Sequence, residues 1–180
     1  MDRANHYEVA FESYLQGRRL SYVAVDESRR SFLGDAPVKT LDFLVFGPSG
    51  AKLCVDVKGR RFPGGQPSRP RRVWECWSFE EDVEGLGRWA RLAGEGYRGL
   101  FVFAYLLGPT VELAENVPDL HLWRGRRYLF RAVDAEEYRD CMRVRSPRWK
   151  TVSLLKADFR VLVRPFSHFV RVEQPAGCPF

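Results

Sequence analysis

The sequence has no apolar run long enough to cross a membrane. Its longest uninterrupted apolar stretch is residues 100–107, whereas a membrane-spanning helix needs about 20 such residues. Residues 1–12 contain several acidic side chains and lack the basic region and apolar stretch of a secretory signal. We therefore expect a soluble, cytoplasmic protein that does not bind membranes.

Cysteine and histidine are too few and too scattered for a zinc site or a disulfide framework. None of the paired spacings that such sites use is present. The residues in question are Cys54, Cys76, Cys141, Cys178, His6, His121 and His168. Cys54 and Cys76 have apolar neighbours, which predicts thiols buried in a core.

The sequence does contain enough apolar material for one folded domain. Of its 180 residues, 45% are hydrophobic and 14% are aromatic, and the length is close to the ~150 residues of a typical domain. We expect a single domain over residues 1–180, with a core over residues 5–107 and a C-terminal extension over residues 108–180.

The order of the predicted elements is typical of an α/β fold. Capping residues and apolar spacing predict a helix over 5–17, strands over 20–25, 41–46 and 52–58, a helix that begins at 78–81 and ends at 94–96, and a strand over 100–107. A meander followed by a crossover implies a mixed β-sheet flanked by helices, an αβββαβ core. In an α+β extension we predict a strand over 127–133, a helix from Asp134 and further strands within 152–170.

Charged residues interrupt two of the apolar strands. Asp56 and Lys58 are two positions apart, so they share one face of their strand. Asp42 stands at the start of the preceding strand, where an apolar residue would fit better. With the hairpin turn near residues 47–50, Asp42 falls opposite Asp56. Two neighbouring carboxylates repel each other, and a hard divalent cation with oxygen ligands relieves that repulsion.

Each of these residues also has an ordinary structural explanation. An Asp-x-Lys at a strand end is commonly a surface ion pair, and Asp42 fits a strand-start cap. Glu8 and Glu12 share a helix face at i, i+4; Glu8 fits a capping box and Glu12 an exposed helix position. The occurrence of all of them in this order in one chain favours a metal site.

A basic segment follows Lys58 directly. Residues 58–72 contain six basic residues and no acidic one, and their Pro and Gly content predicts an exposed loop. Its arginines are Arg60, Arg61, Arg69, Arg71 and Arg72. Arginine suits phosphate recognition through its paired N–H donors and its charge. The alternative is a solvated surface loop without a ligand.

Three segments resemble motifs of the PD-(D/E)XK, or restriction-endonuclease-like, nucleases, which include the archaeal-type Holliday-junction resolvases. Residues 11–17 resemble their first-helix motif, and residues 55–58 resemble the (D/E)XK element. Residues 41–42 resemble the PD element, with Leu41 where Pro is common. Residues 6–12, HYEVAFE, are similar to the signature that names the HYExAFE family of bacterial proteins.

The resemblance implies a nuclease fold and a set of metal ligands. Asp42 and Asp56, with the Val57 carbonyl, would bind Mg²⁺ or Mn²⁺. Glu12, together with Glu8, would bind the metal ion or its water.

The same resemblance implies that Lys58 orients the attacking water and offsets charge on the scissile phosphate. The implied catalytic residues are Glu12, Asp42, Asp56 and Lys58. We therefore expect a Mg²⁺-dependent phosphodiester hydrolase, an endonuclease rather than an exonuclease, that acts on DNA rather than RNA and has a second copy of the chain as a further partner. Two alternatives stay open: a nucleic-acid-binding module without turnover, and a structural protein whose carboxylates are only ion-paired.

Overall fold

The chain forms five helices and fourteen strands within the residues that the computed structural model describes, which are 5–25, 31–33, 36–38, 41–48, 50–62, 65–66, 69–70, 74–109, 111–113 and 116–171. The helices are α1 (His6–Gly17), α2 (Glu80–Ala93), α3 (Ala135–Cys141), α4 (Lys156–Leu162) and α5 (Phe166–Val170). The longer strands are β1 (Ser21–Ala24), β4 (Phe43–Phe46), β5 (Lys52–Arg61), β9 (Tyr97–Leu106), β10 (Leu120–Trp123), β11 (Arg126–Asp134) and β12 (Arg143–Ser146). The shorter strands are β2 (Ser31–Leu33), β3 (Ala36–Val38), β6 (Gly65–Gln66), β7 (Arg69–Pro70), β8 (Ser78–Phe79), β13 (Thr151–Ser153) and β14 (Arg164–Pro165).

A mixed seven-stranded sheet organises the molecule. Its strands run in the order β1-β4-β5-β9-β11-β10, and β14 pairs with β11. The pair β5 and β9 is parallel and the other pairs are antiparallel. Helix α2 makes the crossover that a parallel pair requires. The predicted α/β class with a mixed sheet flanked by helices is therefore confirmed.

The two faces of the sheet are covered by different helices. On one face, which we call the α1-side core, Phe11 of α1 and Phe166 of α5 pack on Phe43 and Val55. On the other, the α2-side core, helices α2, α3 and α4 contribute the buried residues Val83, Leu86, Tyr138 and Phe159. Both faces of β5 are thus enclosed, which explains why polar side chains on this strand need partners.

Helix α1 begins as the sequence predicts. Asn5 is its N-cap, and the side-chain oxygen of Asn5 accepts the Tyr7 N–H at 3.1 Å. The Asn5 amide also donates to the Glu8 carboxylate, so Glu8 takes part in capping the N-terminus of α1. Among the described residues, no helix has both the length and the hydropathy of a membrane span.

One prediction of local structure is wrong and another is incomplete. The basic segment does not begin as a loop, because β5 continues through Gly59 to Arg61 and pairs with β9 along its whole length. The further strands expected within residues 152–170 are present as the short β13 and β14, but the expectation missed the two helices α4 and α5, which make up most of this segment. Phe159 and Val163 lie at helical spacing and pack on the α2-side core, which accounts for the helical conformation.

Gly59 allows α1 to approach the sheet closely. A Cβ atom added at Gly59 would lie 2.6 Å from Cγ of Tyr7, closer than any ordinary contact. The Tyr7 ring therefore lies directly over the backbone of β5, one residue after Lys58. The Nδ1 of the neighbouring His6 lies 3.0 Å from the Tyr128 hydroxyl, so both residues hold α1 against the sheet.

We expect the substitution Gly59→Ala to destabilise the protein by about 2 kcal/mol, because overpacking forces Tyr7 away from the strand. The matched control is Gly87→Ala in α2, where an added Cβ would meet only the Arg91 side chain at 3.6 Å and helix propensity favours alanine. Urea unfolding followed by circular dichroism measures both. An unchanged midpoint for Gly59→Ala would contradict this packing.

Candidate active site

The β4–β5 hairpin brings the two predicted aspartates to neighbouring positions. Phe43 pairs with Val55 in an antiparallel register, so the predicted hairpin register is confirmed for the paired residues. Asp42 lies just before them, and its Oδ2 accepts the N–H of Val57, the residue that follows Asp56. Both aspartates therefore lie beside the same stretch of β5.

Asp56 and Lys58 lie on the α2 face of the sheet. Along β5, Val55 and Val57 belong to the α1-side core, whereas Cys54 belongs to the α2-side core. Because strand side chains alternate between faces, the even-numbered positions that follow Cys54 face helix α2. The predicted common face for this acid and this amine is confirmed.

Asp42 sits at a bend immediately before β4. Its N–H donates to the Val55 carbonyl at 2.9 Å, and its Oδ2 accepts the Val57 N–H at 2.6 Å. The Asp42 carboxylate therefore accepts the Val57 N–H in place of a backbone carbonyl of a neighbouring strand. With 5% of its surface exposed, Asp42 is fixed in position by the backbone on either side of Asp56.

The ammonium group of Lys58 joins two carboxylates. Its Nζ lies 2.8 Å from Oδ1 of Asp56 and 2.6 Å from Oδ2 of Asp82, the third residue of α2. The Lys58 side chain is 13% exposed, and that of Asp82 is fully buried. Such a buried ion pair is stable only with good geometry and further hydrogen bonds. Ser78 Oγ donates one of these to the Asp82 carboxylate at 3.1 Å.

The protonation state of Lys58 follows from these contacts. Burial lowers the pKa of Lys58, but the charges and hydrogen bonds of Asp56 and Asp82 outweigh burial and leave the pKa above its usual value. Lys58 is therefore a cation at neutral pH. It is suited to stabilising negative charge or donating a proton, and it is not a base.

Sequence reasoning did not find Asp82. The pattern of residues 78–81 predicts a capping box with Ser78 at the start and Glu81 as its partner. In the structure the N-cap is Phe79, and Asp82 turns back to accept its N–H at 3.4 Å. The sequence shows three successive acidic residues, Glu80, Glu81 and Asp82, at the start of this helix. Only the packing of α2 on β5 shows which of the three binds Lys58.

Glu8 and Glu12 have partners of their own on α1. The Glu8 carboxylate accepts from the Asn5 amide, and Glu12 Oε1 accepts the Tyr22 hydroxyl of β1 at 3.1 Å. Both the helix and Tyr22 pack on the α1-side core. Across the described ranges, no three acidic, histidine or cysteine side chains are gathered as a metal-binding group. In the described residues, Glu8 and Glu12 therefore do not form one metal-binding cluster with Asp42 and Asp56.

Asp42 and Asp56 nevertheless fit a magnesium ion. Mg²⁺ commonly keeps several waters and is bound by one or two carboxylates together with substrate phosphates, so a third acidic ligand is not required. In their ionised forms, the carboxylates of Asp42, Asp56 and Asp82 outnumber the Lys58 ammonium. The oxygen ligands and the acidic surplus both suit a hard divalent cation.

Arg60 lies inside the protein rather than in an exposed loop. It is 8% exposed, and its Nη atoms donate to the carbonyls of Gly59 and Trp77. Its guanidinium carbon lies 3.9 Å from the centroid of the Trp77 ring. Burial of this arginine corrects the expectation of a loop residue, and its contacts give it a structural role in holding Trp77.

The other arginines of the basic segment are only partly described. Arg61 is exposed at the end of β5, where Phe62 N–H still bonds to the Leu106 carbonyl. The backbone of Arg69 lies in β7. The Arg69 side chain, and Arg71 and Arg72 entirely, lie outside the described residues.

Comparison with solved structures shows the fold. The chain is similar to Hjc, a Holliday junction resolvase from the archaeal hyperthermophile Archaeoglobus fulgidus, with a TM-score of 0.54 and 13% sequence identity. The match covers 92% of this chain and 98% of that chain. The protein therefore has a resolvase-like, restriction-endonuclease-like fold.

Comparison of the sequence alone finds less. Neither the protein-family models nor the curated proteins match the chain. The resemblance to the HYExAFE family therefore has no support beyond residues 6–12 themselves.

We expect Asp82→Asn to lower the free energy of unfolding by about 2 kcal/mol, because a hydrogen-bonded carboxylate beside the buried ammonium is lost. The control is Glu81→Gln, which removes the same charge from the same helix turn at an exposed position and should change stability by only a few tenths of a kcal/mol. Urea unfolding at pH 7 measures both. Equal losses in the two variants would contradict the role given to Asp82.

The pH dependence of the Asp82→Asn effect tests the state of Lys58. Because the folded-state pKa of Lys58 is raised, its stabilising contribution is complete below the unfolded-state pKa of about 10.4 and is lost as the pH rises through the folded-state pKa. The difference in stability between wild type and Asp82→Asn should therefore be constant between pH 7 and about 9 and shrink above about 10.5. A difference that shrinks already between pH 7 and 9 would show that Lys58 is neutral there.

Proposed function

We propose that this protein is a divalent-metal-dependent nuclease that hydrolyses phosphodiester bonds in DNA. The observation that carries the proposal is that, in a resolvase-like fold, Asp42 accepts the Val57 N–H while the flanking residues Asp56 and Lys58 form an ion pair. Two oxygen donors beside a fixed cation match the needs of phosphodiester hydrolysis, in which negative charge grows on the phosphoryl oxygens.

Asp42 and Asp56, with the Val57 carbonyl, are the groups that would hold Mg²⁺ or Mn²⁺. When bound, such an ion lowers the pKa of a coordinated water and stabilises charge on a phosphoryl oxygen. The protein fixes the ligands in advance: Asp42 is hydrogen-bonded to the Val57 N–H and Asp56 to Lys58. Little reorganisation is then needed when the substrate arrives.

Lys58 acts in this mechanism as a cation. Its ammonium group has three donors, of which Asp56 and Asp82 use two. We assign the remaining donor to the scissile phosphate or to the attacking water. Asp82 serves as a positioning residue, because it holds Lys58 at the N-terminus of α2 without belonging to the predicted ligand set.

For contact with the DNA backbone we propose Arg61 together with Arg69, Arg71 and Arg72. These residues follow the candidate site along the chain, and arginine binds phosphate through charge and paired donors. Arg60 is left out of this set because its guanidinium is buried against Trp77.

A second candidate function is a nucleic-acid-binding module without turnover. The observation that favours it is that Asp42, Asp56 and Lys58 each already have partners within the protein. A site of this kind would keep its fold and its affinity for DNA without hydrolysis.

A cleavage assay with Asp56→Asn tests the nuclease proposal. The purified wild type, with Mn²⁺ or Mg²⁺, is incubated with linear, single-stranded, four-way-branched and covalently closed circular DNA. We expect cleavage by the wild type and a loss of at least about 100-fold in Asp56→Asn and Asp42→Asn. Cleavage of the closed circle, which has no ends, identifies an endonuclease. Glu84→Gln, at an exposed position of α2, is the control and should keep full activity.

The outcome separates the two functions. Wild type that binds DNA with a steep salt dependence but cleaves none of the substrates with either metal would favour the inactive module. Full activity in Asp56→Asn, with its folding verified by circular dichroism, would remove the nuclease mechanism built on this aspartate.

A further inference from the structure

A cavity of about 540 Å³ lies on the α2 side of the molecule, beyond the candidate active site. The segment before β8, strand β12 and helix α4 contribute to its walls. The lining residues that matter for its chemistry are Trp74, Trp77, Arg145, Lys156, Phe159 and Arg160. Its volume is in the range of sites that bind small molecules, about 300–1,000 Å³.

The lining of the cavity is strongly basic. Of the described residues that line the cavity, four are cations, Arg131, Arg145, Lys156 and Arg160, and one is an acid, Glu75. Lys156 and Arg160 are exposed and stand one turn apart on α4, a spacing at which like charges repel each other. An anionic group bound between them would relieve that repulsion, so the cavity suits an anion.

The same cavity has an aromatic wall. Trp74 packs edge-on against Tyr105 with ring centroids 4.8 Å apart, and Phe159 packs on Phe103. Trp77 is held by two guanidinium groups, since the guanidinium carbons of Arg60 and Arg145 lie 3.9 Å and 5.0 Å from the centroid of its ring. Aromatic side chains fixed in this way bind planar rings, and nucleobases stack on them with little dependence on sequence.

The cavity is structurally connected to the candidate active site. Lys58 and Arg60 occupy the same face of β5, about 7 Å apart at Cα. Arg60 supports Trp77 in the cavity wall, and the next residue, Ser78, donates to the Asp82 carboxylate that holds Lys58. The same chain segment thus lines the cavity through Trp77 and supports the Lys58–Asp82 ion pair through Ser78.

We propose that this cavity binds one unpaired nucleotide of a nucleic-acid strand, with the base against Trp74 and the phosphate between Lys156 and Arg160. The combination of a planar apolar part with an anionic part matches the two halves of the lining. A nucleotide in a duplex is stacked on both sides, so only an unpaired or extruded one can enter. The assignment to a strand rests on the proposed function, whereas the binding of a nucleotide does not.

Isothermal titration of the 180-residue protein in EDTA, where no metal-dependent cleavage can occur, tests the proposal. The probes are deoxyadenosine monophosphate, deoxyadenosine and the single-stranded pentamer of deoxyadenylate. We expect the monophosphate to bind at least about tenfold more tightly than the nucleoside, because the phosphate supplies charge-assisted hydrogen bonds. We also expect the pentamer to compete with the monophosphate.

A pair of double variants localises the binding. Lys156→Ala with Arg160→Ala should weaken binding of the monophosphate at least about tenfold. Arg91→Ala with Arg139→Ala removes the same charge from exposed helix positions outside the cavity lining and should change the affinity less than about twofold. Circular dichroism melting verifies that both double variants fold.

Three results would overturn the proposal. They are no binding of the monophosphate, equal binding of nucleotide and nucleoside, and equal loss of affinity in the two double variants. Binding of the monophosphate without competition from the pentamer would overturn the assignment to a strand and leave a free nucleotide as the ligand.

The experiments distinguish a failure of the cavity proposal from a failure of the nuclease proposal. Asp56→Asn should lose cleavage and bind the monophosphate as wild type does. Wild type that binds the monophosphate and cleaves no DNA would refute the proposed function alone. Wild type that cleaves DNA and binds no monophosphate would refute the cavity proposal alone.

Discussion

The pairing of Lys58 with Asp56 and Asp82 is the interaction on which the rest of the structure depends. An ammonium group buried between a sheet and a helix is tolerated only with compensating charges, and here one carboxylate comes from β5 and the other from α2. The pair therefore fixes where the crossover helix begins relative to the sheet. The same Asp82 carboxylate accepts from Ser78 and from the N–H of Phe79, which also fixes the chain segment that enters the helix.

This arrangement also decides the chemistry that the site can perform. Because Asp56 and Asp82 keep Lys58 charged at neutral pH, the candidate site combines a cation with Asp42 and Asp56, the two acids proposed as metal ligands. The entry segment fixed by Ser78 carries Trp77 immediately before it, and Arg60 holds that ring from β5. One strand thus supports both the candidate active site and the aromatic wall of the basic cavity.

Local sequence patterns were sufficient for the elements around the site. The cap at Asn5, the alternation along β5 and the position of the turn near residues 47–50 predicted the first helix, the common face of Asp56 and Lys58 and the register of the β4–β5 hairpin. Local patterns did not predict that Arg60 is buried in a strand, because a charged residue in a segment rich in Pro and Gly indicates an exposed loop. In the structure the parallel partner β9 continues alongside that segment as far as Arg61, and pairing with a distant strand overrides the local preference.

The sequence by itself determined what depends on neighbours along the chain: the α/β class, the hairpin register and the residues that share a strand face. These follow from periodicity and turn position, which act over a few residues. Only the tertiary structure decided that Asp82 rather than Glu81 meets Lys58, that Glu12 bonds to Tyr22, and that aromatic and basic side chains from four segments of the chain line one cavity. Those contacts depend on how helices lie on the sheet, and that geometry is set by the packing of the whole core.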